Sequence, residues 1–164
     1  RMKIRLFLES DLETLHAINA ASTPGVSEET LEDLKQIISI STCLVAENES
    51  GSPQGFITLI PPGELAYKSA NLRWFETWLE GKSLTLNYVD RIALAPEARG
   101  KRLGEALYDA AMQWSDSFEA LGCEVNTMPD NPGSHRFHQR LNFKEVGRQA
   151  FSPEKAVAYY VRQL

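Results

Sequence analysis

The sequence predicts a single domain of mixed α/β class over residues 1–164. Short apolar runs such as "GFITLI" favour strands, and apolar side chains at three- and four-residue spacing favour amphipathic helices between them. In the second half a helix pattern separates two strand patterns, which is typical of a strand–helix–strand unit. The length suits one domain of ordinary size with its own core.

In the first half the segment "KIRLFL" alternates, which places Ile4, Leu6 and Leu8 on one face of a first strand. A helix follows, and a second helix is expected to open at Ser27. Two further strand patterns are joined by the turn-rich "ESGSPQ", so they predict a hairpin. Pro-Pro-Gly then begins an aromatic segment, residues 61–81, which predicts a long loop and a short helix.

The second half opens with the longest strand candidate, "SLTLNYVDRIALA". The apolar spacing that follows predicts a long helix ending at Gly122. A strand, a short helix and two closing strands complete the order β-α-α-β-β-(insert)-β-α-β-α-β-β. The last strand, "AVAYYVRQL", is predicted to be an exposed edge at which two copies pair as a homodimer.

Composition and charge exclude several classes of function. A formal charge of −5 argues against binding to nucleic acid. No apolar run approaches the ~20 residues that span a bilayer, so no membrane partner is expected. Cys43 and Cys123 lack zinc-type spacing, which predicts buried reduced thiols and no metal site. The N-terminal "RMKIRLFLES" lacks the apolar core of a signal peptide, and a cytoplasmic location is expected.

A cluster of charge lies where the longest strand gives way to a helix. Arg99, Lys101 and Arg102 surround two glycines, Gly100 and Gly104. The first turn of a helix has unpaired N–H groups and the positive end of the helix dipole, and glycine lets a ligand approach the backbone. These residues therefore predict a phosphate cradle, although a solvated surface loop would explain them equally well.

The segment "VDRIALAPEARGKRLGEALYDAA" resembles the signature of the GNAT superfamily of acyl-CoA-dependent N-acetyltransferases. That signature is a strand ending V-x-P, a short loop, and [QR]-x-x-G-x-[GA] opening a long helix. Arg99 fills its first motif position and Gly104 its last. Arg102 replaces the middle glycine, which is a departure from the pattern.

A second block, "NPGSHRFHQRLNFKEVG", is similar to the downstream pattern N-x-x-[AS]-x-x-[FL]-Y-x-x-x-G-F of the same family. Asn131, Ser134, Phe137 and Phe143 match it. The two motifs occur in the family's order, about 30 residues apart by our count along the chain.

The resemblance implies a mostly antiparallel central sheet with helices on both faces, in which strands 4 and 5 splay apart around the pantetheine arm. It implies acetyl-CoA as co-substrate, no metal, and direct acetyl transfer to a primary amine, of a small molecule, in a ternary complex. The expected cofactor-binding residues are Ile92, Ala93, Leu94, Arg99, Gly100, Lys101, Arg102, Leu103, Gly104, Asn131, Ser134 and Phe137. The Leu94 amide would polarise the thioester carbonyl.

Two side chains are candidate catalytic groups. His138 occupies the position at which the family often has a tyrosine that protonates the departing thiolate. Either a neighbouring acid would raise the pKa of His138 for this role, or water would complete the step. The alternative is a histidine on the helix surface that packs on Phe143. Asp90 is an ionisable group inside an apolar strand, so it could relay a proton or hold the substrate ammonium. A structural pair of Asp90 with Arg91 or Arg73 is the alternative.

Substrate contacts in the family come from the first helix–loop–helix and from the segment before the fourth strand. Asn19, Tyr67, Arg73 and Trp74 are the candidates here. Two other functions are compatible with the sequence: a non-catalytic acyl-CoA-binding or regulatory module, and acetylation of a protein N-terminus or lysine.

Overall fold

The computed structural model describes residues 2–164, in which seven strands and five helices follow the predicted order. The strands are β1 (Lys3–Leu6), β2 (Thr42–Glu47), β3 (Pro53–Ile60), β4 (Leu86–Leu94), β5 (Ala120–Met128), β6 (Lys144–Ser152) and β7 (Lys155–Gln163). The helices are α1 (Leu12–Ala21), α2 (Leu31–Ser39), α3 (Ala70–Leu79), α4 (Leu103–Trp114) and α5 (Pro132–Arg140). Short 3-10 turns cover Glu9–Asp11 and Pro96–Ala98.

The strands form one open sheet in the order β1-β2-β3-β4-β5-β7-β6. Only the β4–β5 pair is parallel, and the other neighbours are antiparallel. Every residue of β3 is buried, so both faces of the central sheet are covered. The predicted fold class, a mixed and mostly antiparallel sheet, is confirmed.

Strands β4 and β5 separate after a short contact. They pair only over Leu86–Tyr88 and Ala120–Gly122, although each strand continues for six more residues. The remaining edges of both strands therefore face a gap instead of a neighbouring strand. This gap is the splay between strands 4 and 5 that the sequence resemblance implies.

A β-bulge changes the expected alternation in β4. Thr58 pairs with Arg91 while Leu59 pairs with Val89, which leaves Asp90 as the extra residue. The bulge brings Asp90 and Arg91 into direct contact, with Arg91 Nε 2.7 Å from Asp90 Oδ2. The bulge thus overrides the regular alternation of a strand, which would place these two neighbouring side chains on opposite faces.

Helix α4 ends at Trp114, not at Gly122 as predicted. Gly122 lies within β5, where a β-carbon would come within 3.0 Å of Phe75 and Leu86. That glycine therefore allows close packing in the sheet and does not cap a helix. Helix α2 likewise begins at Leu31, where the Thr30 hydroxyl accepts from the Asp33 amide, and not at Ser27.

Strand β7 is an interior strand between β5 and β6, so the prediction that it forms an exposed edge is wrong. Strand β7 pairs with both neighbours along nearly its whole length, and β6 forms the edge of the sheet instead. Strand β1 is shorter than the predicted run, since it ends at Leu6 and Leu8 precedes the first 3-10 turn. Leu6 and Leu8 are both exposed.

The two thiols behave as the sequence predicts. Cys43 and Cys123 are free and buried, and burial raises the pKa of Cys43 to about 12. Among residues 2–164, no helix combines the length and the apolar character needed to cross a membrane.

Candidate active site

The N-terminus of α4 is an open anion-binding position. The Thr30, Ser69 and Asn131 side chains cap α2, α3 and α5 respectively, but no side chain caps α4. The amides of its first turn therefore lack a protein partner, and the helix dipole makes this end positive. Exposed Arg99 and Arg102 add two full positive charges beside it.

Two residues in the preceding loop have left-handed backbone conformations. Gly100 has φ +77° and Arg102, at the N-cap of α4, has φ 61°. Arg102, which replaces the middle glycine of the family pattern, thus has a backbone conformation that favours glycine on steric grounds. Gly104 has a different role, because a β-carbon there would lie 3.0 Å from the Phe137 ring. Gly104 lets α5 approach α4, and this packing constrains it as much as ligand access does.

Replacing Arg102 with glycine is expected to stabilise the protein. A non-glycine residue in the left-handed region costs roughly 1 kcal/mol, so Arg102→Gly should raise the melting temperature by about 2–4 °C. Thermal unfolding by circular dichroism measures this. Arg99→Gly is the matched control, because Arg99 has an ordinary extended backbone. A melting temperature for Arg102→Gly at or below that of Arg99→Gly would contradict the claim that the backbone at Arg102 is strained.

A cavity of about 1360 Å³ begins at the α4 N-terminus and extends through the gap between β4 and β5. The predicted cofactor residues on its wall are Ile92, Ala93, Leu94, Arg99, Gly100, Arg102, Leu103, Gly104, Asn131, Ser134 and Phe137. Lys101 is exposed and does not contribute to the wall. The volume exceeds the ~300–1,000 Å³ typical of sites for drug-sized ligands, so it has room for a long ligand and a second molecule.

The backbone of β4 presents hydrogen-bonding groups to this gap. The Ala95 amide donates to Gln54 O at 2.8 Å, on the β3 side. Because successive peptide groups in a strand point to opposite edges, the Leu94 and Ile92 amides point away from β3 and into the gap. Leu94 can thus offer its N–H to a ligand in the gap without losing a bond of the β3–β4 ladder.

Glu124 lies on the opposite side of the gap, on β5, and the sequence predictions did not include it. Its carboxylate accepts from the Tyr88 hydroxyl at 2.6 Å. Burial raises the pKa of Glu124 to about 7, although the Tyr88 hydrogen bond lowers it. A carboxylate with this pKa can accept a proton near neutral pH. An acid inside the apolar strand "CEVNTM" was the available sequence signal.

Asp90 also faces the cavity, but three donors satisfy its carboxylate. Thr58 Oγ1 donates to Oδ2 at 2.9 Å, Arg91 Nε lies 2.7 Å from the same oxygen, and the Tyr67 hydroxyl donates to Oδ1. Arg91 itself is buried and extends to the α1–α2 loop. The structural pairing of Asp90 with Arg91, one of the two sequence interpretations, is therefore present.

Arg91 ties the α1–α2 loop to the floor of the cavity. Its Nη1 donates to Asn19 Oδ1 at 2.9 Å and to Ser27 O at 3.3 Å, and its Nη2 donates to Glu29 Oε2 at 3.0 Å. Through Asp90 the same cluster reaches Tyr67 in the β3–α3 loop. One buried network thus holds two loops that line this half of the cavity.

His138 lines the cavity in a neutral, buried form. Its Nδ1 lies 2.8 Å from Ser134 O, which can only accept, so Nδ1 carries the ring proton and Nε2 accepts from the Tyr108 hydroxyl at 2.7 Å. Burial lowers the pKa of His138 to about 4. The prediction that a neighbouring acid raises this pKa is wrong. The ring packs against Phe143 at 5.3 Å between centroids, inside the core and not on a helix surface.

The lowered pKa of His138 should make the protein less stable in mild acid. Between pH 6.5 and about pH 4 the unfolded state binds a proton at this residue and the folded state does not, so stability falls as pH falls. His138→Gln should remove up to ~3 kcal/mol of this dependence. Urea unfolding at pH 4.5 and 7 measures it, with His16→Gln as control. Equal pH slopes for parent and His138→Gln would contradict the neutral assignment.

Of the four predicted substrate residues, only Tyr67 lines the cavity. Asn19 is buried behind the wall and bonds to Arg91, while Arg73 pairs with Glu76 on α3 at 2.9 Å. Trp74 stacks on Tyr159 with 3.9 Å between ring centroids. Sequence spacing could not show that α3 turns Trp74 onto Tyr159 of the sheet and leaves Arg73 paired on the helix itself.

Comparisons with known proteins agree with this geometry. Residues 12–143 match the family model described as the acetyltransferase (GNAT) family. A GNAT superfamily phosphinothricin acetyltransferase from Sinorhizobium meliloti, solved in complex with AcCoA, is 19% identical, with 99% of this chain and 88% of that chain covered and a TM-score of 0.71.

Two further solved structures are similar over almost their full lengths. Ribosomal-protein-alanine N-acetyltransferase from Brucella melitensis is 22% identical, with 99% of each chain covered and a TM-score of 0.71. Arabidopsis thaliana NAA60, solved with a bisubstrate analogue, is 17% identical, with 99% of this chain and 98% of that chain covered and a TM-score of 0.75. At such identities the likeness shows the fold alone. No curated protein sequence matches the chain.

Proposed function

Because this chain belongs to the acetyltransferase (GNAT) family, we propose that it transfers an acetyl group from acetyl-CoA to the primary amine of a small molecule. One observation carries the proposal: a single cavity joins an uncapped helix N-terminus to a carboxylate of pKa about 7. The first feature suits a diphosphate and the second suits a proton acceptor.

The residues at the α4 end of the cavity fit coenzyme A. The amides of Leu103, Gly104 and Glu105, with Arg99 and Arg102, would bind the diphosphate. The gap-facing peptide groups of Ile92 and Leu94 would pair with the pantetheine arm as an added strand does. The acetyl thioester supplies the activated acyl group.

At the centre of the gap two groups would act on the reacting atoms. The Leu94 N–H would donate to the carbonyl oxygen, on which negative charge develops as the amine attacks. Glu124 would take the proton that the amine nitrogen loses as the C–N bond forms. Its pKa of about 7 keeps much of it ionised at neutral pH while leaving it basic enough to accept a proton.

His138 has no free proton to give to the thiolate, because its Nδ1–H is bonded to Ser134 O and its Nε2 is an acceptor. We assign it a positioning role, in which it holds the Tyr108 hydroxyl at the cavity wall. Water would then protonate the departing thiolate, which the ordinary pKa of a thiol, about 8.5, makes feasible near neutral pH.

Two fixed loops on the cavity wall favour a small acceptor over a protein acceptor. The α1–α2 and β3–α3 loops both line the cavity that contains Glu124, and the buried Asp90–Arg91 pair holds both loops in place. A peptide chain would have to enter between these two loops.

Release of free coenzyme A from acetyl-CoA, measured over a panel of small amines and N-terminal peptides, tests the proposal. Turnover with small amines is the expected result. Calorimetric binding of acetyl-CoA without turnover on any amine would favour the non-catalytic binding module, and turnover on peptides alone would favour a protein acetyltransferase.

A further inference from the structure

The charges in the acceptor half of the cavity are distributed unevenly. We call this half the acceptor chamber and define it by Tyr67, Asp90, Glu124, Asn126 and Lys155, all on the cavity wall. The carboxylates and the ammonium group of the chamber differ in how many hydrogen bonds and ion pairs they already form within the protein. This difference indicates which charged groups the acceptor carries.

Asp90 and Glu29, two of the carboxylates on the cavity wall, are already paired with Arg91. Asp90 receives Arg91 Nε and the hydroxyls of Thr58 and Tyr67. Glu29 receives Arg91 Nη2 at 3.0 Å and the Ser27 hydroxyl at 2.7 Å. Neither has much remaining capacity to attract a substrate cation.

Glu124 differs from both, since its only side-chain partner is the neutral hydroxyl of Tyr88. Among the described residues no cation pairs with it. Of Asp90, Glu29 and Glu124, it is therefore the carboxylate that an incoming amine can engage directly.

The exposed side chain of Lys155 supplies the opposite charge on the cavity wall. Its Nζ donates to Asn126 Oδ1 at 2.7 Å, and Asn126 is buried. The Asn126 amide is fixed in orientation, because its Nδ2 donates to Pro24 O at 2.8 Å. No carboxylate forms an ion pair with Lys155 in residues 2–164, so a buried amide positions an exposed ammonium that is free to meet a substrate anion.

Glu124 and Asn126 lie two residues apart on β5, and side chains at this spacing share one face of a strand. Their α-carbons are therefore about 7 Å apart. The unpaired carboxylate and the Lys155 ammonium thus face the same chamber at a separation that one small molecule can bridge.

We propose that the acceptor is a small amine that also carries an anionic group, such as a carboxylate: the amine binds at Glu124 and the anion at Lys155. This inference rests on the proposed acetyltransferase function and names its substrate class. An ion pair with Lys155 gives a charge-assisted hydrogen bond, which an uncharged analogue of the same shape cannot make.

Matched acceptors test the inference. We would use ω-amino acids of three to six carbons and α-amino acids, each beside its primary amide, which lacks the negative charge. Coenzyme A release gives kcat/KM for each pair, and calorimetry gives the affinity of each compound for the protein saturated with coenzyme A. We expect the acids to exceed their amides at least tenfold in one or more pairs.

Three lysine variants separate a local contact from general electrostatics. Lys155→Met should abolish the preference for the acid and leave the affinity for acetyl-CoA unchanged. Lys144→Met removes the same charge from an exposed site on β6 outside the cavity, so it should keep the preference. Lys155→Arg should keep most of it.

Three outcomes would overturn the inference. Amides could bind or react as well as their acids in every pair, Lys155→Met could retain the preference, or none of the acids could bind or react while acetyl-CoA binds normally. A protein that fails to bind acetyl-CoA in the same calorimeter would instead refute the proposed function, and this substrate class with it.

Discussion

Glu124→Gln is expected to lower kcat by about 10²–10⁴-fold, the usual contribution of a positioned general base. Glutamine keeps the shape of the side chain and can still accept from Tyr88, but it cannot take a proton. In the parent enzyme kcat should rise with pH through an apparent pKa near 7, because burial raises the pKa of Glu124 to about 7. The variant should lose this step. Steady-state kinetics from pH 5.5 to 9, with an acceptor amine of low pKa, measures both.

Stability separates a catalytic loss from a folding defect. The pKa of Glu124 is raised above its unfolded value, so its stabilising contribution is complete below about pH 4.5 and is lost as pH rises through 7. Glu124→Gln should therefore be at least as stable as the parent at pH 8. Glu13→Gln, on an exposed face of α1, should leave kcat unchanged. A parent-like kcat in Glu124→Gln would remove Glu124 from the reaction.

Leu94→Pro is expected to lower kcat by about 10²–10³-fold, the cost of losing one donor to a developing oxyanion. Proline removes the N–H that points into the gap, whereas the neighbouring Ala95 amide keeps its bond to Gln54 on the β3 side. The affinity for acetyl-CoA should change far less, since the diphosphate position at α4 is untouched. Steady-state kinetics and calorimetry measure the two effects separately.

Leu94→Ile provides the matched control, because it changes the side chain and keeps the amide. Its kcat should stay close to that of the parent. If Leu94→Pro folds with a normal melting temperature and its kcat lies within threefold of the Leu94→Ile value, the amide has no catalytic role.

The second half of the fold was predictable because its signals are local. A strand, a glycine-containing loop and a helix of regular apolar spacing placed the α4 N-terminus within a few residues, and the second motif placed α5 beside it. The helix end was misjudged because Leu121 continues the apolar spacing, although Gly122 in fact packs under Phe75 in the sheet. Periodicity alone does not distinguish these two environments.

The acceptor chamber was less predictable because it depends on contacts between distant segments. The bulge in β4 brings Asp90 onto Arg91, and Arg91 then reaches Glu29, about 60 residues earlier in the chain. No local pattern encodes that pairing. Glu124 could have been selected by the same criterion as Asp90, since both are acids inside apolar strands. Only the three-dimensional structure shows that Asp90 has a cationic partner and Glu124 does not.

The most direct test of the account is a titration of ¹⁵N-labelled protein with coenzyme A, followed through the backbone amide signals. Binding of the diphosphate at the α4 N-terminus should shift the Leu103, Gly104 and Glu105 amides most strongly, and pantetheine, which lacks the diphosphate, should leave them in place. If saturating coenzyme A left these three signals unmoved, the binding site described for the diphosphate would be wrong.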